Sequence, residues 1–138
     1  MRWMGLTAGL TAAALTACSN NMERVYSGVE TKGGASVNVP PDNYRGEIIA
    51  YQRSYLNDPT GIRSAAISQP ALKNVGGSVE RYVVCVRFNA KAPGGGYSGM
   101  REHLAIFLAG KLDQMVVTRE ACKDAAYEPF PELERLVR

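Results

Sequence analysis

The stretch 81-RYVVCVRFNA-90 decides the fold class of this chain, because it has the clearest strand pattern in the sequence. Successive side chains of a β-strand point to opposite faces of a sheet. One alternate set here is large and apolar, and we expect it to face a core: Tyr82, Val84, Val86 and Phe88. Cys85 then points to the other face or to an edge. The pattern predicts a strand of an antiparallel sheet that needs a covering layer.

The covering layer is predicted upstream, in an amphipathic helix that begins after Pro40-Pro41 and extends to Leu56. Asp42 or Asn43 can cap its first turn. Pro59 ends it, because proline disfavours helical geometry at the residue before it. Apolar side chains at spacings of three, four and seven predict one stripe on this helix: Tyr44, Ile48, Ile49, Tyr51, Tyr55 and Leu56.

Further strands are expected on both sides of 81–90. Residues 62–67 are a candidate strand. Residues 104–108 are predicted to form a strand because the apolar run is short and lies between glycines. Gly110-Lys111 is expected to form a tight turn, from which residues 112–117 return as a hairpin. Thr118 is predicted to cap a short helix through Cys122, and a last helical turn covers 132–136. The expected fold is α+β: one N-terminal amphipathic helix packed on a three- to four-stranded antiparallel sheet, with a short C-terminal helix, all within residues 42–138.

The N-terminus carries a targeting pattern that ends in Leu15-Thr16-Ala17-Cys18. A positive start precedes a short apolar run, which is well below the roughly 20 residues that span a bilayer. The pattern resembles the bacterial lipobox. That resemblance implies a signal peptide over residues 1–17 and lipidation of Cys18. The residues that follow are rich in Asn, Gly and Pro and have no sustained helical or strand period, which predicts a flexible tether over 18–41. The alternative is an ordinary secretory peptide in which Cys18 is incidental.

The resemblance to the lipobox also implies a cellular location. Stable anchoring needs more than one acyl chain, and lipoproteins of this class carry two or three. Ser19 follows the cysteine, which in Gram-negative family members favours the outer membrane. The expected location is therefore the bacterial cell envelope, lipid-anchored and periplasm-facing. The rest of the chain resembles small uncharacterised proteobacterial lipoproteins, a similarity that brings over no catalytic residues: 82-YVVCVRFNAK-91, 94-GGGYSG-99 and 105-AIFLAGKLDQ-114.

The length and net charge of the chain limit the classes of partner that we expect. The chain has 138 residues, with 16 Lys and Arg against 13 Asp and Glu, for a net charge of +3. This length favours a single domain. The charge is too balanced to indicate a nucleic-acid partner. The expected partners are the membrane, through the N-terminal lipid, and another envelope protein.

The cysteines agree with export. Lipidation of Cys18 leaves two cysteines, Cys85 and Cys122. An even number of remaining cysteines in an exported protein predicts a disulfide between them. Closing a loop of about 38 residues would stabilise the domain by about 3.8 kcal/mol. Catalytic or metal-binding thiols are the alternative, including a zinc site formed with His103 and Asp113. No CxxC spacing supports that alternative.

No motif indicates a reaction. Gly94-x-Gly96-x-x-Gly99 matches the dinucleotide fingerprint in form only, because the helix and parallel βαβ unit of such a site are not predicted. His103 is the single histidine, and no spacing pairs it with a nucleophile and an orienting carboxylate. We therefore expect no enzyme, no cofactor and no metal.

The expected function is a non-enzymatic interaction or assembly module. The candidate interaction surface lies in the apolar, proline-bounded segment 127–133, with Tyr127, Phe130 and Leu133 as contact residues. The same segment could instead be a C-terminal arm that closes the sheet. The alternative function is small-ligand binding in an aromatic-lined pocket, to which Tyr44, Tyr51 and Tyr55 could contribute.

Overall fold

The computed structural model describes residues 38–76 and 78–138. The predicted signal peptide, Cys18 and nearly all of the predicted tether lie outside these residues. The described elements, in chain order, are α1 (Tyr44–Tyr55), β1 (Arg63–Ser68), β2 (Ala71–Gly76), β3 (Val79–Lys91), β4 (Tyr97–Leu108), β5 (Lys111–Val117), β6 (Tyr127–Pro129) and α2 (Pro131–Glu134).

The strands form one antiparallel sheet in the order β5-β4-β3-β1-β6, and β2 also pairs with β3. β1 and β2 lie on the same side of β3, because β4 pairs with the other side over residues that β1 and β2 also pair with; β1 lies along the C-terminal half of β3 and β2 along the N-terminal half. The α+β class with a covering helix is confirmed. The strand count is corrected from three or four to six, since β2 and β6 were not predicted.

The two faces of β3 are as the alternation predicted. Val84, Val86 and Phe88 are buried in the same cluster as Ile48 of α1. Cys85 lies on the opposite face with Val83, Leu104, Ile106 and Cys122. The predicted disulfide between Cys85 and Cys122 is present, with 5.8 Å between the Cα atoms. It ties the segment after β5 to the second face of the sheet, so both faces are covered near the centre.

The helix buries a narrower line than its apolar stripe indicated. Ile48 and Gln52, one turn apart, are its buried residues. Gln52 fits this position because its Nε2 donates to the thioether sulfur of Met115. Tyr55 is 68 % exposed and stacks on Tyr51, so the predicted stripe is wrong at Tyr55, whereas Leu56 packs against the core as predicted.

Two connections also differ from the prediction. The β4–β5 hairpin is present, but Ala109 and Gly110 are its turn residues and have positive φ angles, as a tight hairpin turn requires. After β5, Thr118 Oγ1 accepts from the N–H of Ala121 as a cap would. The residues that follow form turns without a helix.

Within the described residues, no helix is long and apolar enough to cross a lipid bilayer.

Candidate functional site

The C-terminal segment closes the sheet. β6 pairs with β1, and the N–H of Phe130 donates to the carbonyl oxygen of Ala65 at 2.9 Å. Phe130 and Leu133 are fully buried in the core that faces α1. The predicted interaction surface is therefore corrected: these two side chains pack inside the domain, because the segment joins the sheet as a strand and then turns back over it. Tyr127 is half-buried and has a different role, described below.

The zinc site and the catalytic thiols, which the sequence left as alternatives to the disulfide, are not formed among the described residues. The disulfide occupies both Cys85 and Cys122. His103 lies on the α1 face of β4, with its ring parallel to that of Phe88 and the centroids 4.7 Å apart. Ser98 Oγ donates to the carbonyl oxygen of Ala90. Among the described residues, no three of the metal-ligating types His, Cys, Asp and Glu are grouped as a metal site would need.

His103 is largely buried, with an aromatic ring stacked on it and one cationic side chain nearby. Burial lowers the pKa of His103, and the nearby charge of Arg101 lowers it further. His103 Nδ1 is buried and has no hydrogen-bond partner within the described part of the chain. The imidazole is therefore held neutral beside Phe88.

The outer side of β4 is only partly paired within the described residues. β5 pairs with β4 from His103 to Leu108 only. One more backbone hydrogen bond lies just beyond these paired residues: the N–H of Thr118 donates to the carbonyl oxygen of Glu102 at 2.9 Å. Upstream of that bond, residues 97–101 have β3 on one side and no strand from residues 38–76 or 78–138 on the other. Because backbone groups alternate in direction along a strand, those of Met100 point outward with those of Glu102.

A groove of about 590 Å³ runs along this open edge. Three arginines from three segments of the chain line it: Arg87 on β3, Arg101 on β4 and Arg119 after β5. The hydroxyls of Ser98 and Thr118 and the carboxylate of Glu102 complete its polar lining. We call this region the β4 edge groove.

Tyr127 holds the one carboxylate that the described residues contribute to the groove. Its hydroxyl donates to Glu102 Oε1 at 3.0 Å, and the guanidinium of Arg87 lies over its ring at 4.3 Å. Burial, followed by the contact with Glu102, raises the pKa of Tyr127. The phenol therefore stays protonated and remains a hydrogen-bond donor at neutral pH.

A smaller cavity of about 240 Å³ adjoins the groove, between the end of α1 and the sheet. Leu56, Phe88 and His103 line it, and Tyr55 is the member of the predicted tyrosine set that reaches it. Tyr44 instead donates its hydroxyl hydrogen to Gln69. The cavity shares Arg101 with the β4 edge groove.

Comparison of the chain with protein-family models, with curated proteins and with solved structures found no match. The groove was also missed by the sequence analysis, since its arginines come from distant positions and meet only in the folded sheet. One signal was present: Arg87 is a lone charge inside the apolar run 82–88.

Proposed function

We propose that this chain is a lipid-anchored lipoprotein of the bacterial envelope, whose folded domain is a non-enzymatic module that binds another envelope protein at the β4 edge groove. The anchor rests on the lipobox resemblance at Cys18. The binding site rests on one observation: strand pairing along the outer side of β4 ends at His103, although β4 itself continues back to Tyr97.

An open strand edge favours binding of an extended segment. Its N–H and C=O groups can form a ladder with an added strand, and such a ladder supplies affinity. Met100 and Val117 are large apolar side chains beside this edge, 51 % and 62 % exposed. They give an added strand apolar surface to cover.

Site-specific photo-crosslinking in intact cells tests this proposal. A photoreactive amino acid replaces Met100 in the full chain, and the matched control carries it at Leu72, which is 43 % exposed on β2. We expect a discrete crosslinked protein from position 100 and none from position 72. Mass spectrometry should locate the crosslink in one extended segment of the partner. Equal products from both positions, or none from position 100, would contradict the proposal.

The cavity of about 240 Å³ favours a second function, small-ligand binding between the helix end and the sheet. Its lining is largely apolar and includes the ring of Phe88, which suits a small apolar ligand. Leu56→Trp would fill this cavity. If cells with the Leu56→Trp variant lose the function of this protein but still give the crosslink from position 100, the ligand-binding function is favoured over the edge site.

A further inference from the structure

The β4 edge groove combines unpaired backbone with a local excess of positive charge. The described residues contribute three guanidinium groups and one carboxylate, Glu102, to it. Among the described residues, no carboxylate lies within ion-pair distance of Arg87, Arg101 or Arg119. By contrast, Arg45 in α1 contacts both Glu128 and Glu132. The whole chain is close to neutral, so this charge is a property of the groove.

The one carboxylate of the groove is held by the protein itself. Tyr127 donates to Glu102 and places Arg87 over its own ring. Arg101 and Arg119 have no such contact with an aromatic ring or acid in the described residues. Arg101 and Arg119 can therefore pair with an incoming anion, and Arg87, although it lies over the Tyr127 ring, also has no carboxylate partner among the described residues.

The arginines are arranged on both faces of the sheet at this edge. Arg101 is opposite Phe88 in the β3–β4 register, and the next pair along is Glu102 with Arg87. Neighbouring positions of a strand point to opposite faces, so Arg101 and Arg87 lie on opposite faces. A strand added along β4 also sends successive side chains to opposite faces. Acidic residues at consecutive positions of that strand would therefore reach arginines on each face.

We infer that the β4 edge groove binds an extended segment of protein that carries consecutive acidic residues. This inference rests on the proposed function, and it adds the chemistry of the partner. The backbone of the segment pairs with the outward groups around Met100. Its carboxylates pair with Arg101 and Arg119 and, on the face opposite Arg101, with Arg87, since guanidinium and carboxylate form paired, charge-assisted hydrogen bonds.

The test uses the full chain in nonionic detergent and a peptide with an uncharged fluorophore, acetyl-TVEEEVT-amide, followed by fluorescence anisotropy. We expect binding that weakens as salt increases, because screening reduces interactions between exposed charges. The peptide with three lysines in place of the glutamates should not bind. Arg101→Gln and Arg119→Gln should each weaken binding about tenfold, the size expected for losing a hydrogen bond to a charged group. Arg81→Gln removes the same charge elsewhere on β3 and should stay within about twofold of the wild type.

Two further probes separate an added strand from simple anion binding. The same acidic peptide with alternate backbone amides N-methylated cannot form the ladder, and it should lose binding. Equal binding of the methylated peptide would overturn the inference. So would an arginine-dependent response to inorganic phosphate or to phosphatidylglycerol vesicles that matches the peptide, or a crosslink from position 100 into the chain's own N-terminal region.

The two proposals fail in different ways. One outcome separates them: position 100 crosslinks a partner, but the arginine variants bind like the wild type and the lysine peptide binds like the acidic peptide. In that case the acidic partner is wrong and the edge site stands. If position 100 gives no crosslink, the proposed function fails, whatever the peptides do in detergent.

Discussion

The main-chain N–H of Cys85 donates to the side-chain hydroxyl of Ser68 at 2.9 Å, in the gap between β1 and β2. β1 pairs with β3 up to Ile67 opposite Val86, and β2 resumes with Ala71 opposite Val83. Pro70, which has no N–H, lies between them. A side chain thus replaces a strand neighbour at the point where the sheet is interrupted, directly beside the disulfide.

We therefore predict that Ser68→Ala lowers the free energy of unfolding by about 1–3 kcal/mol, the cost of a buried donor without a partner. Urea denaturation measures this. Ser54→Ala is the matched control, because the Ser54 hydroxyl is exposed and donates only to carbonyl oxygens of its own helix. The control should change stability by less than about 0.5 kcal/mol. Equal effects of the two substitutions would show that the Ser68 contact contributes nothing special.

Reduction of the disulfide should destabilise the domain strongly. Cys85 and Cys122 are separated by 37 positions in the chain, and the chain-entropy estimate for such a loop is about 3.8 kcal/mol. Urea denaturation with and without a phosphine reductant should show a lower midpoint in the reduced protein. The double variant with alanine at both positions should be unaffected by the reductant. A wild-type midpoint that does not move on complete reduction would refute this role.

Phe130→Ala should act as a core mutation. Phe130 is fully buried with Leu133 and Leu136, so its truncation should cost about 3–5 kcal/mol. Val137→Ala is the nearby control, since Val137 is 67 % exposed and its truncation should cost less than about 0.5 kcal/mol. A stable Phe130→Ala protein that loses only its partner would restore the C-terminal segment as a docking surface.

The sequence was sufficient to predict β3, its two faces and the disulfide, because all three follow from strand alternation and cysteine parity. β2 could not be predicted in the same way. Leu72, Lys73 and Asn74 are all exposed, so neither face of β2 imposes an apolar period. β6 has three residues and ends in proline, a pattern that indicates a chain break as readily as a strand.

The site was beyond sequence reasoning for a topological reason. Tyr127 is apolar in its ring and polar at its tip, and both features suit an interaction surface as well as the Glu102 contact that it makes. Which of these applies depends on β6 pairing with β1, a contact between residues about 60 positions apart. The same holds for Arg119, which reaches the groove because β5 ends at Val117.

Cys18→Ala should abolish the membrane anchor. Without the thiol there is no acceptor for the lipid, so we expect an uncleaved precursor or loss of partition into the detergent phase of Triton X-114 extracts. Asn20→Ala keeps the lipobox and should be processed normally. Normal processing of the Cys18→Ala protein would refute lipidation, and it would leave the β4 edge groove to be tested on its own terms.

The last prediction concerns pH and connects the core with the groove. His103 is the single histidine of the chain, and its pKa is lowered by burial and then by Arg101. The unfolded chain takes up this proton near pH 6.5, whereas the folded domain takes it up only at lower pH. The free energy of unfolding should therefore fall as the pH drops below about 6.5, and this loss should stop below the folded-state pKa. Urea midpoints between pH 8 and pH 5.5 measure this slope.

Two variants identify the origin of that slope. His103→Phe keeps a flat ring beside Phe88 and removes the titration, so its stability should vary little over the same pH range; an unchanged slope would contradict the assignment. Arg101→Gln should raise the pKa of His103, which NMR of the imidazole can follow, because one nearby positive charge is gone. An acidic segment bound at Arg101 would shift the same pKa upward for the same electrostatic reason. The titration of one buried histidine thus becomes a direct readout of whether the β4 edge groove is occupied.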